Sequence, residues 1–362
     1  MFNSKNAYLS KAGDHVEPNQ SSNLNEILKP YGVTPHFVEN NGKVKKIFSN
    51  KGTLALKEIS ATTGVDFVRN VQRLFQLGYN RIVPIYPTLD GRYAVWNKDK
   101  LYYCMPWVLN EYKEDQFEKN KKLFRELARL HTISSKEITI AKEEREDHYE
   151  ELTSRWEKEQ EFLEEFVEAC EKETYLSPFQ LIYCLYYHDV SQALRFSRKK
   201  FDEWYEETKD HDKVRTVIVH GKISSEHFLY DERGYGYFHN FEGTRVGSPI
   251  HDLLPFLSRT LKSYPKYYDE CIEWLMTYFQ HISFRNEEMK LLLSYLAYPS
   301  TVISVVKKYF HTPKSKRNEM KFVKKIQRHF WLLKNTEYII MRIDEYERQK
   351  KEQQQSQEGA ST

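Results

Sequence analysis

The chain reads as an α+β protein of two lobes, a small, mostly antiparallel sheet lobe followed by a larger and mainly helical one. Three observations predict this. Lys43–Phe48 alternates polar and apolar residues, and Thr53–Ile59 follows the turn-forming run Ser49-Asn50-Lys51-Gly52, the pattern of a hairpin. After Trp107 the pattern changes to long helical periods. A chain of 362 residues is long enough for two or three substantial cores.

In chain order, residues 1–22 are polar with no sustained period and read as an irregular arm. Strands are expected from about Val38 to Ile59. A helix follows over Val65–Leu77, with Val65, Val68, Val71, Leu74 and Phe75 on one face and Gly78 as its C-terminal stop. Arg92–Asn97, after Asp90-Gly91, and Leu101–Val108 complete the small sheet. Helices are then predicted over Glu118–His131, over the charged run Ala141–Glu173 as a solvated pair, and over Phe179–Lys209. Two β-type runs interrupt them, Val214–Val219 and Tyr235–Phe241, the second after a turn at Asp231–Gly236. Helices resume over His251–Ser263, Tyr267–Gln280, Glu287–Tyr298, Thr301–Tyr309 and Glu319–Glu347. Large apolar residues stop at Tyr346, so the end should fray into a solvated tail. The expected division is an arm (1–22), a small lobe (23–108), a large lobe (109–347) and a disordered tail (348–362).

Composition excludes several classes. Lys and Arg number 55 against 52 Asp and Glu, and the formal charge of +3 does not suit a dedicated nucleic-acid binder. No run of about 18 uncharged apolar residues is present, and the N-terminus lacks an apolar signal region, so neither a membrane span nor Sec export is expected. Cys104, Cys170, Cys184 and Cys271 are scattered without a CxxC pair and read as reduced, mostly buried thiols, not as a zinc site or a disulfide framework. Lys307–Lys334 collects ten basic residues with few acids. It reads as a solvated face with Phe322, Ile326, Phe330 and Leu333 turned inward, or as a dock for an acidic partner or nucleic acid. The 26 tyrosines are a weak hint of interfaces.

The most informative segment is Val217-Ile-Val-His-Gly-Lys-Ile-Ser-Ser-Glu-His-Phe-Leu-Tyr230, with Tyr237-Phe-His-Asn-Phe-Glu242 and Ser248-Pro-Ile-His-Asp-Leu253 after it. In order and spacing it resembles the catalytic half of the aminoglycoside phosphotransferase and choline kinase group of kinase-like folds. In that group an H-G-D-x-x-x-x-N loop, an I-D-F/W strand end and a D-P-x-x-D-L helix start follow one another. Gly52-Thr-Leu-Ala-Leu-Lys57 likewise resembles the strand whose lysine pairs the nucleotide phosphates. Within the superfamily the chain is similar to the Bacillus spore coat-associated kinase-like proteins of the CotS type, with their YsxE and YutH relatives, over about residues 24–340. The resemblance implies a bilobal protein kinase-like fold, other spore coat proteins as partners, and synthesis in the mother cell cytoplasm followed by residence in the coat.

Three positions depart from that pattern. Lys222 stands where the catalytic aspartate is expected, His227 where the metal-binding asparagine is, and Asn240 where the second metal carboxylate is; His220, Gly221, Asp252 and Lys57 keep the framework. Phosphoryl transfer needs Mg²⁺ held by carboxylates and an aspartate that orients the acceptor hydroxyl. An ammonium has three donors and no acceptor, so Lys222 cannot take that proton and it repels a metal. General-base catalysis alone is worth roughly 10²–10⁴ in rate. The sequence therefore points to a pseudokinase with no catalytic residue, no metal and no required cofactor. ATP is left as a possible ligand, bound without Mg²⁺ if at all.

Several readings stay open on the residues alone. Lys222 could pair with Asp252 or Glu226, or its charge could replace Mg²⁺ beside a nucleotide. His227 reads as a packed loop histidine or, less simply, a metal ligand. Lys57 reads equally as a phosphate contact and as an ordinary strand-end lysine. No G-x-G-x-x-G loop lies between Gly42 and Gly52, and the helix Val65–Leu77 has only Asp66 to offer as an acidic partner. Glu226 and Glu242 are candidate replacement carboxylates for an unorthodox phosphotransferase, and a nucleotide or metabolite sensor is a third possibility.

Overall fold

The computed structural model describes residues 18–110 and 114–360. In chain order the elements are α1 Pro18–Leu28, β1 Pro35–Asn41, β2 Val44–Ser49, β3 Gly52–Ser60, α2 Phe67–Gln76, β4 Val95–Asn97, β5 Lys100–Pro106, α3 Gln116–Ser134, β6 Lys136–Thr139, α4 Lys142–Glu171 and α5 Pro178–Thr208. They continue with β7 Lys213–Val219, β8 Phe228–Tyr230, β9 Gly236–Phe238, β10 Arg245–Gly247, α6 Ile250–Thr260, α7 Asp269–His281, α8 Asn286–Ala297, α9 Ser300–His311 and α10 Glu319–Ala360. Contacts divide the chain into two compact units. Unit 1 holds residues up to Glu114 together with His220–Arg245, and unit 2 holds Asp115–Val219 and Val246 onward. The small unit thus recruits a later segment that a division at residue 108 leaves in the large one.

Unit 1 is built on an antiparallel sheet in the order β1-β2-β3-β5-β4. The expected hairpin is present, with Ser49 opposite Gly52 and Val44 opposite Lys57. Leu54 and Leu56 of β3 point to one face and pack with Leu24, Ile27 and Leu28 of α1. That i, i+3, i+4 stripe anchors α1, which begins at Pro18 within the segment expected to be an arm and runs beyond its expected end at residue 22; residues 1–17 of the arm lie outside the described residues. On the opposite face Phe67 of α2 packs against Tyr103 of β5, ring centroids 5.5 Å apart, and Val68, Val71 and Leu74 of α2 are buried as well. Gly64 has φ +62° and Asp66 is the N-cap, so the helix starts two residues later than expected. Val65, left outside the helix, and Phe75, in its last turn, were expected on the buried face and are exposed. The later segment adds the hairpin β8–β9. It joins the first part of the unit where Val83 N–H donates to the Phe238 carbonyl at 2.8 Å and Phe238 N–H to that of Arg81 at 2.9 Å. The expected strand Tyr235–Phe241 is therefore shorter and pairs with β8, which no period in the sequence revealed.

Unit 2 is mainly helical, with a small sheet ordered β10-β7-β6. Its main core joins α4, α5, α9 and α10 through Leu163, Phe166, Phe179, Val306 and Ile326. Ser177 forms a capping box with Gln180 at the start of α5. The charged run expected as a helix pair is the single helix α4, because no Gly or Pro interrupts Lys142–Glu171. The tail expected to be disordered continues α10 as far as Ala360, since its Glu, Gln, Lys and Arg are all good helix formers. Phe322, Ile326 and Leu333 are buried as expected. Among the described residues only Asn286–His311 has the length and hydropathy of a membrane span; Tyr298-Pro299 breaks it into α8 and α9, and 56% of its apolar window is buried. The four cysteines are free, three of them buried.

Candidate functional site

Strand alternation on β3 turns Lys57 away from the Leu54–Leu56 face, and the sheet register sets Tyr103 of β5 directly opposite it. Both side chains reach the same carboxylate. Lys57 Nζ lies 2.5 Å from Glu242 Oε1, and the Tyr103 hydroxyl donates to that oxygen at 2.7 Å. Lys57 Nζ also donates to Asn240 Oδ1. The acidic partner of Lys57, sought on α2 from the sequence, comes instead from the segment after β9. Tyr103 was not singled out at all; its role depends on a β3–β5 register that no local pattern encodes.

The loop after β7 is shaped by Gly221, which has φ +82°; a Cβ there would meet the Gly243 carbonyl oxygen at 2.0 Å. His220 is fully buried. Its Nε2–H donates to the His239 carbonyl at 2.8 Å, so Nδ1 is left to accept the Lys222 N–H at 3.2 Å. His227 Nδ1 donates to the Lys222 carbonyl at 2.6 Å, and its Nε2 accepts from Asn240 Nδ2 at 2.7 Å. The three altered positions therefore form one directional hydrogen-bonded chain with Lys57: ammonium to Asn240 amide, amide to His227 ring, ring to Lys222 backbone.

Burial pushes the Glu242 carboxyl up, but Lys57 and Tyr103 outweigh it and hold the group below its ordinary range. Burial pushes the Lys57 ammonium down against the attraction of Glu242. Tyr103 is pushed well up, first by burial and then by Glu242. Burial lowers His227, and it lowers His239 to about 4. Glu242 Oε2, His239 Nδ1 and Ser224 Oγ are buried without a hydrogen-bond partner among the described residues.

The remaining predicted residues are placed as follows. The Lys222 side chain is exposed and forms no ion pair among the described residues of unit 1, so the expected pairing with Glu226 is not made. The reason is that Lys222 is anchored by its backbone groups, which leaves the ammonium to solvent. Glu226 is also exposed, and only its carbonyl takes part, accepting from His239 Nε2 at 3.1 Å. Asp252 lies in unit 2, fully buried against His131 Nε2 at 3.2 Å, while His131 Nδ1 meets the Tyr278 hydroxyl at 2.7 Å. It is part of the interior of that unit.

The donor set does not fit Mg²⁺. That ion demands near-octahedral oxygen at about 2.0–2.1 Å. Here the Lys57 ammonium already occupies the position between Asn240 Oδ1 and Glu242 Oε1, and no cluster of three His, Cys, Asp or Glu suited to a metal exists among the described residues. The β2–β3 turn offers little to a phosphate. Asn50 N–H donates to the Thr34 carbonyl at 3.2 Å, Lys51 N–H to Ser49 Oγ at 3.2 Å, and Lys51 Nζ to the Tyr31 carbonyl at 3.0 Å.

No family model and no curated protein matches the chain. Solved structures do. An aminoglycoside phosphotransferase from Alicyclobacillus acidocaldarius matches with a TM-score of 0.67 at 13% identity, covering 94% of this chain and 99% of that one. A spectinomycin phosphotransferase in complex with ADP and spectinomycin matches with a TM-score of 0.50 at 12% identity, covering 90% and 100%. A microcompartment-associated aminopropanol kinase matches with a TM-score of 0.50 at 13% identity, covering 86% and 95%. The chain has the kinase-like fold of these phosphotransferases, a small antiparallel-sheet part and a large helical part.

Proposed function

We propose that this chain is a pseudokinase, a kinase-fold protein without phosphoryl transfer, and that it serves as a structural or assembly component of the bacterial endospore coat. The observation that carries the first part is the commitment of Lys57. Its ammonium is bound by Glu242 and Asn240 inside unit 1, and the positions that would hold metal and general base are filled by Asn240, His227 and Lys222, already hydrogen-bonded to one another. Lys222, an ammonium with no acceptor, stands at the position that the resembled motif series gives to the general base. The coat role rests on the resemblance of the motif series to the spore coat-associated kinase-like proteins. It carries with it coat proteins as partners, the mother cell as the place of synthesis, and no required cofactor.

Calorimetry with ATP, with and without Mg²⁺, on the purified chain and on Lys222→Asp tests the first part; no heat and no ADP release with aminoglycoside or amino-alcohol acceptors is expected. ADP release that needs an added acceptor and disappears in Glu242→Ala overturns it. A fluorescent fusion followed through sporulation tests the second part, and a signal that never leaves the mother cell cytoplasm overturns it.

One observation favours a second reading, a small-molecule phosphotransferase with an unorthodox site. Glu242 Oε2 is buried with no hydrogen-bond partner among the described residues, so one carboxylate oxygen of this cluster is uncommitted there. Acceptor-dependent turnover in the same assay is its signature.

A further inference from the structure

Two helices of unit 2 carry charged faces of opposite sign and the same spacing. On α10, Lys321, Lys324, Lys325 and Arg328 stand at i, i+3, i+4 and i+7, all exposed. On α4, Glu161, Glu164, Glu165 and Glu168 repeat those intervals, with Glu164 half-buried and the other three exposed. Residues so spaced share one side of a helix and here extend about 10 Å along it. None of the eight forms an ion pair among the described residues. Around them the sign is nearly pure. Lys314–Arg328 has seven bases and one acid, Glu319, which is taken up by the Tyr309 hydroxyl; Glu161–Glu173 has six acids and one base, Lys172.

Both faces are held rigidly. The opposite sides of the two helices, Leu163 and Phe166 on α4 and Phe322 and Ile326 on α10, sit in the same apolar core. Phe310 and Met320, close in sequence to the basic face, are 51% and 63% exposed and give it apolar area to cover. A polyanion fits this unit poorly. The acidic face would repel a phosphate backbone or an anionic bilayer, and a net charge of +3 provides no long-range attraction for either. A second copy of the chain offers an acidic face of matching length and interval.

We propose that the chain self-associates by laying the basic face of α10 in one copy along the acidic face of α4 in another. The contact is heterologous, so it closes a ring or extends into an array. It does not depend on the reading of Lys57.

Sedimentation velocity on the full chain, run as a concentration series at low and high salt, tests this. Assembly at about 50 mM NaCl that weakens at least about tenfold at about 500 mM is expected, because salt screens exposed charges. The variants K321E/K324E/K325E/R328E and E161K/E165K/E168K should each be monomeric with unchanged melting, and their equimolar mixture should form a 1:1 complex. A wild-type chain that stays monomeric at every salt overturns the proposal, as does assembly that survives either variant. Retention of a DNA duplex or of phosphatidylserine vesicles by a monomeric wild type also overturns it and gives the basic face to a polyanion. Should a variant misfold, the salt series on the wild type decides alone.

Discussion

Lys57 and Glu242 are 185 residues apart in sequence, yet their charged atoms meet at 2.5 Å with side-chain exposures of only 12% and 4%. A pair this sealed is costly to break from one side, because the survivor is left as a buried charge. Glu242→Ala is expected to lose about 3 kcal/mol in urea unfolding, and the paired change Lys57→Met with Glu242→Leu to recover most of it. A single-variant loss under about 0.5 kcal/mol would show that water reaches the pair freely.

Gly221 should tolerate no side chain. Its φ of +82° and the 2.0 Å approach of a Cβ to the Gly243 carbonyl act together. Gly221→Ala is expected to cost about 3 kcal/mol or more, whereas Gly42→Ala, with a similar φ of +67° and nothing within 4 Å, should cost about 1 kcal/mol. Equal losses for the two would mean that the carbonyl moves aside.

Asn240→Asp reverses a donor. The amide that now donates to His227 Nε2 becomes a carboxylate that only accepts, so a protonated ring is favoured. The ring, held below its ordinary range by burial, should titrate at higher pH in the variant, as read from its imidazole NMR signals. No upward movement would show that Asn240 and His227 are not bonded.

His239 predicts how stability responds to acid. Burial lowers its folded value to about 4 from the ordinary 6.5, so the unfolded chain binds the proton first as pH falls. Its contribution is complete above about pH 6.5 and is lost progressively toward pH 4, amounting to about 2 kcal/mol between pH 7.5 and pH 5. Denaturant unfolding at several pH values should show this loss, and His239→Gln should flatten it. An equal slope in the variant would place the acid sensitivity elsewhere, His329 being the next candidate, also lowered to about 4 by burial.

Lys222→Ala should leave stability within about 0.5 kcal/mol, since the ammonium is exposed and without an ion pair among the described residues. A larger loss on thermal unfolding would reveal a contact made by the side chain.

Legibility differed element by element, for physical reasons. The β2–β3 hairpin, α3, α5 and the helices after Ser248 were readable because alternation, the 3.6-residue period and Gly at turns are local signals. The short strand β8 was not, because three residues carry no period, and α1 was hidden because its polar first turn masks the Leu24–Ile27–Leu28 stripe. The site divided in the same way. His220, Gly221, Lys222, His227 and Asn240 lie in one short stretch and were named through its resemblance to the phosphotransferase motif series, whereas Tyr103 and the pairing of Lys57 with Glu242 were not.

By itself, the sequence determined the chemistry on offer: which side chains can hold a metal, accept a proton or carry charge, and, through its resemblance to the phosphotransferase motif series, that Lys222 and Asn240 replace two carboxylates and His227 an asparagine. Only the tertiary structure decided how the remaining groups are used. It set Lys57 on Glu242 and Asn240, turned Lys222 to solvent and buried Asp252 against His131. The reason is that a buried charge or amide takes the partner that long-range packing brings within about 3 Å, and that proximity follows from strand register and chain return, not from sequence neighbours.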